Sequence, residues 1–488
     1  MLKRNIFSRG MFVILPALAM MLGWGLRGHI GGGPFGAMIP GAMVALSICL
    51  LLKLPASITS VVVVFGVFGI GLGGEMTYGQ TLAFLRDPAT VWCGTAGTTL
   101  KGSVWGLLGG IILSLGFIYH RIPKKIIVNG ILLMLVGFFL GFKLINEPML
   151  LYFSDPANPR AESWAALLFG ALTWLVFLRF KITSDDYKLV RRFALYGLVG
   201  GGLGFGLGGF WMVLGSHLPD VIFKDWWKAM ELTFGFLLGT SLGLAAWKSR
   251  KKIQIDIQKN SIPEKPRLSV AGELGILFIA AVFTYWLFPN LLEPFVDAGS
   301  SDGSFALSMA RTLARVLTDY GFYGLVFVLI IMRFPQMAWQ IGITLTFCHA
   351  AIDLVRDFYP DLDPWAPFTM HFFWVFLMTA PVALLTVYFS RRKNSVVNLF
   401  LLLIWSCIVV SLLRLIFLSG SLSVSGMSLC EIVCQRFFVD ISFTLSAIAV
   451  TWIILSMSRK FRQARCFTGQ NKLENTKIKK RKNVFTGF

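Results

Sequence analysis

The chain of 488 residues is dominated by apolar side chains and carries a large positive charge. Hydrophobic residues make up 56% of the sequence and charged residues 14%, and the mean hydropathy is +0.72. A water-soluble fold cannot bury that much apolar surface, because its interior grows too slowly with chain length. The net charge of +21 lies in short segments between apolar runs and near the C-terminus. The composition therefore predicts an integral membrane protein, and a basic charge distributed in this way predicts no nucleic-acid partner.

Apolar runs that could cross a bilayer recur along the whole chain. A membrane helix needs about 20 predominantly apolar residues, and the sequence predicts an all-α, polytopic integral membrane bundle of about 14 transmembrane helices by that criterion. The run 305–333 begins with an amphipathic stretch, which is typical of a segment in the membrane interface. The first run is interpreted as a retained helix rather than a signal peptide, because its hydrophobicity continues through Trp24. The runs are 11–27, 35–54, 57–76, 101–119, 126–146, 162–180, 193–214, 228–247, 269–289, 305–333, 336–354, 368–390, 396–417 and 430–456.

The positions of Lys and Arg between the runs predict that both termini are cytoplasmic. Cytoplasmic loops carry an excess of basic residues, and here the strongly basic segments all follow even-numbered runs. They are 120–125, 181–192, 248–267, 391–393 and 459–482. The sequence accordingly predicts an eight-helix core (1–247), a basic cytoplasmic linker (248–268), a six-helix bundle (269–456) and a basic cytoplasmic tail (457–488).

Two glycine-rich stretches of the core resemble each other. Residues 67–74 read VFGIGLGG and residues 202–209 read GLGFGLGG. When these are aligned, Trp92 falls on Trp227, and after a gap the glycines 102, 106 and 110 fall on 235, 239 and 243. This predicts a parallel repeat of four helices about an axis along the membrane normal, as in one class of transporters. The spacing favours close helix packing, whereas a nucleotide-binding loop would need a preceding strand.

Ionisable residues near membrane depth gather at the predicted outer ends of the core helices. A charge at the centre of a membrane helix costs about 2.5–3.5 kcal/mol on insertion scales, so such residues are candidates for function. Pairing or snorkelling at the interface is the alternative. Together the candidates predict a polar chamber that opens outward. The apolar segment 80–99 predicts a re-entrant or interfacial segment, and the pair Trp226–Trp227 an interface anchor. The core candidates are Arg27, His29, Glu75, Gln80, Lys101, Lys143, Glu147, Lys228 and Glu231.

A second group of candidates lies in the six-helix bundle. His349, Asp353, Arg356 and Asp357 share one helical face, and His371 opens the next run on the same side. We expect Asp353 to orient the imidazole of His349, a geometry that suits a general base or a proton relay. The alternative is a polar helix end satisfied by its own pairs. No spacing typical of a metal site, a serine nucleophile or a phosphate-binding loop occurs, so no cofactor and no metal are predicted.

Three functions remain open from the sequence. The first is a secondary transporter or permease for a small polar or anionic solute, which fits the many helices, the repeat and the ionisable residues. The ionisable residues leave open that such a transporter is proton-coupled. An integral membrane transferase that acts on a lipid-linked or acyl substrate at the outer leaflet fits the one-sided distribution of polar residues. A non-catalytic membrane assembly subunit is the third. Membrane lipids and a small-molecule solute are the expected partners, an oligomer is compatible with the sequence, and the compact loops favour the bacterial inner membrane.

Overall fold

The computed structural model is helical throughout the part of the chain that it describes. Thirteen of the helices found there are long and apolar enough to cross a membrane, and a bent pair brings the number to 14. The protein is therefore a polytopic helical membrane protein, as predicted. The described residues are 7–155, 157–158, 160, 162–218, 225–259, 268–291, 305–318, 320–360, 369–418, 428, 431–432 and 437–459.

The helices follow the predicted apolar runs closely. In lipid, a chain segment can satisfy its own backbone hydrogen bonds only as a helix, so each long apolar run has one available conformation. The run 305–333 differs, because it is divided into two helices whose axes meet at 47°. The helices are α1 Arg9–Ile30, α2 Gly33–Leu52, α3 Ala56–Glu75, α4 Val91–Ile118, α5 Lys124–Asn146, α6 Trp164–Lys181, α7 Ser184–His217, α8 Trp226–Lys259, α9 Val270–Leu291, α10 Phe305–Thr318, α11 Tyr320–Arg333, α12 Met337–Phe358, α13 Met370–Ser390, α14 Ser395–Leu418 and α15 Phe438–Arg459.

Helix α4 begins at Val91 rather than at residue 101, so the second half of the predicted re-entrant segment is helical. Its threonines make this possible: Thr95 and Thr98 donate their hydroxyls to the carbonyls of Val91 (2.8 Å) and Gly94 (2.9 Å), one turn back. The first half of the segment holds a short helix, Gly79–Ala83, and a 3₁₀ turn, Phe84–Arg86. At the other end of the core, α8 continues into the predicted linker. Residues 260–267 and 460–488, which include most of the predicted tail, lie outside the described residues.

The two glycine series bring helices into backbone contact, as predicted for that spacing. A Cβ atom on Gly106 of α4 would lie 1.9 Å from the Gly197 carbonyl oxygen of α7, and one on Gly243 of α8 would lie 1.9 Å from the Phe12 oxygen of α1. Only glycine permits such an approach. The partners α7 and α1 are not equivalent helices in the proposed alignment of the two halves. The repeat itself remains a prediction.

Helix α12 is enclosed by its neighbours, since every residue of its most apolar window is buried. It contains a π-helical turn, Gln340–Leu345, and a second π turn, Phe283–Leu287, lies in α9. The two turns are joined by the Tyr285 hydroxyl, which donates to the Leu345 carbonyl at 2.7 Å. Widened turns of this kind occur frequently at functional sites.

Candidate functional site

A buried arginine lies among aromatic rings near the C-terminal end of α1, which is the predicted outer end. Arg27 is 4% exposed, and its Cζ atom lies 5.2–5.5 Å from the ring centres of Trp24, Tyr78 and Trp105. One terminal nitrogen donates to the Tyr78 hydroxyl (2.5 Å) and the other to the Gly33 carbonyl (3.3 Å). The Arg27 Nε atom is buried and has no hydrogen-bond partner among the described residues. The guanidinium is therefore held by neutral groups, and its Nε–H donor is unused within the described residues.

The Tyr78 hydroxyl connects this arginine to the carboxylate of Glu231 on α8, which is 1% exposed. It accepts hydrogen bonds from Lys228 Nζ (2.6 Å), Trp227 Nε1 (3.0 Å) and the Tyr78 hydroxyl (3.3 Å). Burial raises the pKa of Tyr78 to about 12, so the phenol stays neutral and can accept from Arg27 while it donates to Glu231. The cluster of Arg27, Tyr78, Lys228 and Glu231, called here the Arg27 cluster, thus contains two cations and one carboxylate.

A triglycine turn between α1 and α2 lies beside this cluster. Gly31 and Gly33 have positive φ angles of 156° and 66°, which favour glycine because a side chain would be strained there. The Gly33 carbonyl accepts from Arg27, and the Gly32 carbonyl lies 3.1 Å from His349 Nε2. The break in the helix therefore directs two backbone carbonyls at two of the predicted site residues.

His349 does not pair with Asp353, so that part of the prediction is wrong. Its ring stacks on Tyr285, with 6.1 Å between ring centres and 20° between planes. Its Nδ1 atom is buried without a hydrogen-bond partner among the described residues. The Asp353 carboxylate is bound instead by Arg356 and by Arg414 of α14 (3.2 Å). Helical spacing placed the two residues on one face, but two longer cationic side chains reach the carboxylate.

Arg414 joins the core to the six-helix unit at the same outer end. Besides Asp353, it forms an ion pair with Asp357 and donates to the backbone carbonyl of His29 on α1. The His29 imidazole lies 3.6 Å from Asp440 of α15. These residues, with Arg356, form a second charged group, called here the Arg414 cluster. It lies at the end of α1, next to the triglycine turn and the Arg27 cluster.

Other predicted candidates hold structural positions apart from these two clusters. Lys101 is fully enclosed with Glu162, which lies two residues before α6. The Glu75 carboxylate accepts from the Tyr320 backbone N–H (2.7 Å) at the start of α11. Lys143 forms an ion pair with Glu147 (2.6 Å), and His371 Nε2 lies 3.1 Å from the Tyr359 carbonyl. The Gln80 side-chain amide donates to the Asn158 carbonyl (2.9 Å) and accepts from the Asp155 backbone N–H (3.1 Å). The structure thus brings together eight of the candidates: Arg27, His29, Lys228, Glu231, His349, Asp353, Arg356 and Asp357.

Several residues of the two clusters escaped the sequence-based selection. Arg414 and Asp440 lie inside predicted membrane runs, which is itself a signal for function, and that signal was available in the sequence. Tyr78 carries no charge, so nothing marked it as the bridge between Arg27 and Glu231. Trp227 was predicted as an interface anchor, yet its indole nitrogen donates to Glu231.

No protein-family model, curated protein or solved structure matches the chain. Within the described residues, no three His, Cys, Asp or Glu side chains are grouped so that they could hold a metal ion. The functional argument therefore depends on the geometry of the two clusters.

Proposed function

We propose that the protein is a secondary transporter or permease for a small anionic solute, with the Arg27 cluster as its binding site. The observation that supports this most directly is a buried arginine at a broken helix that is held, within the described residues, only by neutral groups. Beside it, Glu231 pairs with Lys228 and reaches Arg27 only through the Tyr78 hydroxyl. The Asp225 carboxylate accepts from the Lys228 backbone N–H (3.1 Å). Secondary transporters bind their substrates where discontinuous helices meet, at the boundary between two moving units.

The donors of the cluster fit a carboxylate or a phosphate. An arginine binds such groups through two parallel N–H bonds, and a lysine adds a compact charge. Arg27 keeps its Nε donor unused, and Gly28, against which the Glu231 carboxylate packs, is exposed. An anion that entered past Gly28 would compete with Glu231 for Lys228.

Opening toward the outside requires the predicted eight-helix core and the predicted six-helix bundle to separate at their outer ends. The contacts that join them there include two to backbone carbonyls, Arg414 on His29 and His349 on Gly32, and the pair of the His29 imidazole with Asp440. Both partners in the core belong to the end of α1 or to the triglycine turn, so one rocking movement could release them together. These contacts are the outer gate of the proposed transporter, which we place in the bacterial inner membrane.

A membrane transferase is the second candidate, and one observation favours it. A largely apolar groove of about 270 Å³ lies between α9, α12 and α13, with Phe278, Trp286, Cys348 and Phe372 in its lining. Such a groove suits an acyl chain. Cys348 precedes His349, so a lipid substrate in the groove would lie near a histidine that could act as a base.

The two functions are separated by reconstitution in sealed vesicles. Tracer uptake of small carboxylates and inorganic phosphate is measured together with internal pH, for the wild type and for Arg27→Gln. The loss of charge-assisted bonds is worth about 1.5–3 kcal/mol, so uptake at low solute concentration should fall about 10- to 100-fold. Lys143→Gln is the matched control, because its ion pair is partly exposed. Absence of flux for every solute, combined with turnover of an added lipid donor, would refute the transporter and support the transferase.

A further inference from the structure

A second buried carboxylate lies at the opposite, predicted cytoplasmic end of the six-helix unit. Glu273, in the first turn of α9, is 3% exposed. Its carboxylate accepts from Gln340 Nε2 (2.9 Å) and from Arg391 (3.3 Å). In the part of the chain that the structure describes, Arg391 is the one cation within ion-pair distance of Glu273.

The other groups around Glu273 are polar but neutral. Gln340 accepts from the Thr344 hydroxyl at 2.7 Å, and Thr344 lies 3.2 Å from the Thr386 hydroxyl. All three side chains are fully buried. The Gln340 amide also donates to the Ala383 carbonyl (3.3 Å). Gln340 of α12 therefore gives Glu273 a neutral hydrogen bond, and groups of α13 hold the Gln340–Thr344 pair in place. Within the described residues, Arg391 supplies the positive charge that balances the Glu273 carboxylate.

Helices α9 and α12 connect the Glu273 carboxylate with the predicted outer site. Gln340 lies in the π turn of α12, and Tyr285 in the π turn of α9 donates to Leu345 at the end of that turn. The Tyr285 ring stacks on His349, whose Nε2 faces the triglycine turn. Nine residues separate Gln340 from His349, about 14 Å at a rise of 1.5 Å per residue. A change of register in the π turns would act on both ends.

We propose that Glu273 is the proton-coupling site of the transporter, where Arg391 and a proton alternate as the partner of one carboxylate. This inference rests on the proposed function. Arg391 follows the last residue of α13, and its side chain is 35% exposed, so it can withdraw into water. A bare carboxylate is too costly in the membrane interior, and Glu273 then takes up one proton from the cytoplasmic side. When Arg391 returns, the proton leaves to water, and the site is neutral in both states.

Chemical labelling with dicyclohexylcarbodiimide tests this exchange without a known solute. The reagent is apolar and adds to protonated carboxyl groups, which yields a stable N-acylurea that mass spectrometry locates. The groove provides access from the lipid, because Leu274 and Leu277 of α9 and Ala383 of α13 line it. Purified full-length protein in lipid nanodiscs is labelled in buffers from mildly alkaline to mildly acidic. Glu162, held by Lys101 and fully buried, serves as the internal control.

We expect labelling of Glu273 to rise several-fold as the pH falls, and to be several-fold higher in Arg391→Gln than in the wild type in alkaline buffer. Glu162 should stay unlabelled, and Glu273→Gln should lose the modified peptide. Glu273 that remains unlabelled in both the wild type and Arg391→Gln at every pH would overturn the inference. Solute flux is scored separately: its absence contradicts the proposed function, whereas flux with an unlabelled Glu273 contradicts only the proton-coupling site.

Discussion

The Lys101–Glu162 ion pair links α4 to the start of α6 and offers a direct test of how buried charge stabilises this fold. Both side chains are fully buried, with 2.9 Å between Lys101 Nζ and Glu162 Oε1. Lys101 also donates to the Thr77 carbonyl (2.8 Å) and the Thr81 hydroxyl (2.7 Å). Glu162 accepts in addition from the Ser154 hydroxyl (2.7 Å) and a backbone N–H (3.0 Å). The hydrogen-bonding positions of both side chains are occupied. Removing either partner therefore leaves the other as a buried charge without an opposite charge beside it.

The expected cost follows from that burial. Removing one partner of a buried pair destabilises a protein by about 3–5 kcal/mol, because an uncompensated charge remains. Lys101→Met and Glu162→Gln should each lose an amount in that range. The double substitution leaves no charge, and its glutamine oxygen can still accept from Ser154, so it should be more stable than either single variant. Lys143→Met removes a pair with side chains 23% and 38% exposed and should cost no more than about 1 kcal/mol.

Thermal unfolding of the purified variants in one detergent, followed by tryptophan fluorescence, ranks their stabilities. A membrane protein of this size is not assumed to unfold in two states, so the order of the Tm values is the measured outcome. A double variant that unfolds at or below the temperature of the weaker single variant would show that the stranded charge is not the cause. A loss in Lys143→Met as large as in Lys101→Met would refute the argument from burial.

Three further predictions concern packing, pH and topology. Gly106→Ala would place a Cβ atom 1.9 Å from a backbone oxygen of α7, so its yield of monodisperse protein should collapse, whereas Gly275→Ala, with no atom within 4 Å, should match the wild type. Burial and the nearby Lys124 lower the pKa of His120 from 6.5 to about 4. The neutral imidazole therefore stabilises the fold above pH 6.5, and this contribution is lost as the pH falls toward 4; His120→Gln should flatten the dependence of Tm on pH in that interval. Cys93 is exposed on the predicted outer side, so an impermeant maleimide should label it in intact cells and not in Cys93→Ser; labelling only after permeabilisation would contradict the topology.

The membrane helices could be predicted because lipid leaves an apolar segment one conformation. The predictions failed where polar residues continue a helix. The stretch from Val91 to Thr99 was predicted as part of a re-entrant or interfacial segment, but it is the first part of α4, where Thr95 and Thr98 donate their hydroxyls to carbonyls of the preceding turn. The bend between α10 and α11 had a visible cause, since the amphipathic start of the run differs from its apolar end.

Depth in the membrane can be read from a sequence, but the direction in which each helix face points cannot. Arg27 was identified as a candidate from its predicted depth, and His349 from its helical spacing relative to Asp353, Arg356 and Asp357. Their contacts depend on helices far apart in the chain: Tyr78 is 51 residues from Arg27, and Gly32 is 317 residues from His349. The expected His349–Asp353 pair failed for the same reason, because Arg414 approaches Asp353 from another helix.

Charge balance separates a binding site from a structural pair in this fold. Lys101 and Glu162 neutralise each other and fill their remaining positions with hydrogen bonds. In the Arg27 cluster, Lys228 pairs with Glu231, whereas Arg27 forms no ion pair within the described residues. The Arg414 cluster contains the carboxylates of Asp353, Asp357 and Asp440 and the guanidinium groups of Arg356 and Arg414. Between the two clusters the structure places backbone carbonyls of the triglycine turn, which attract cations without neutralising them. An anionic solute would supply the charge that the Arg27 cluster lacks, and for that reason we assign binding to this cluster.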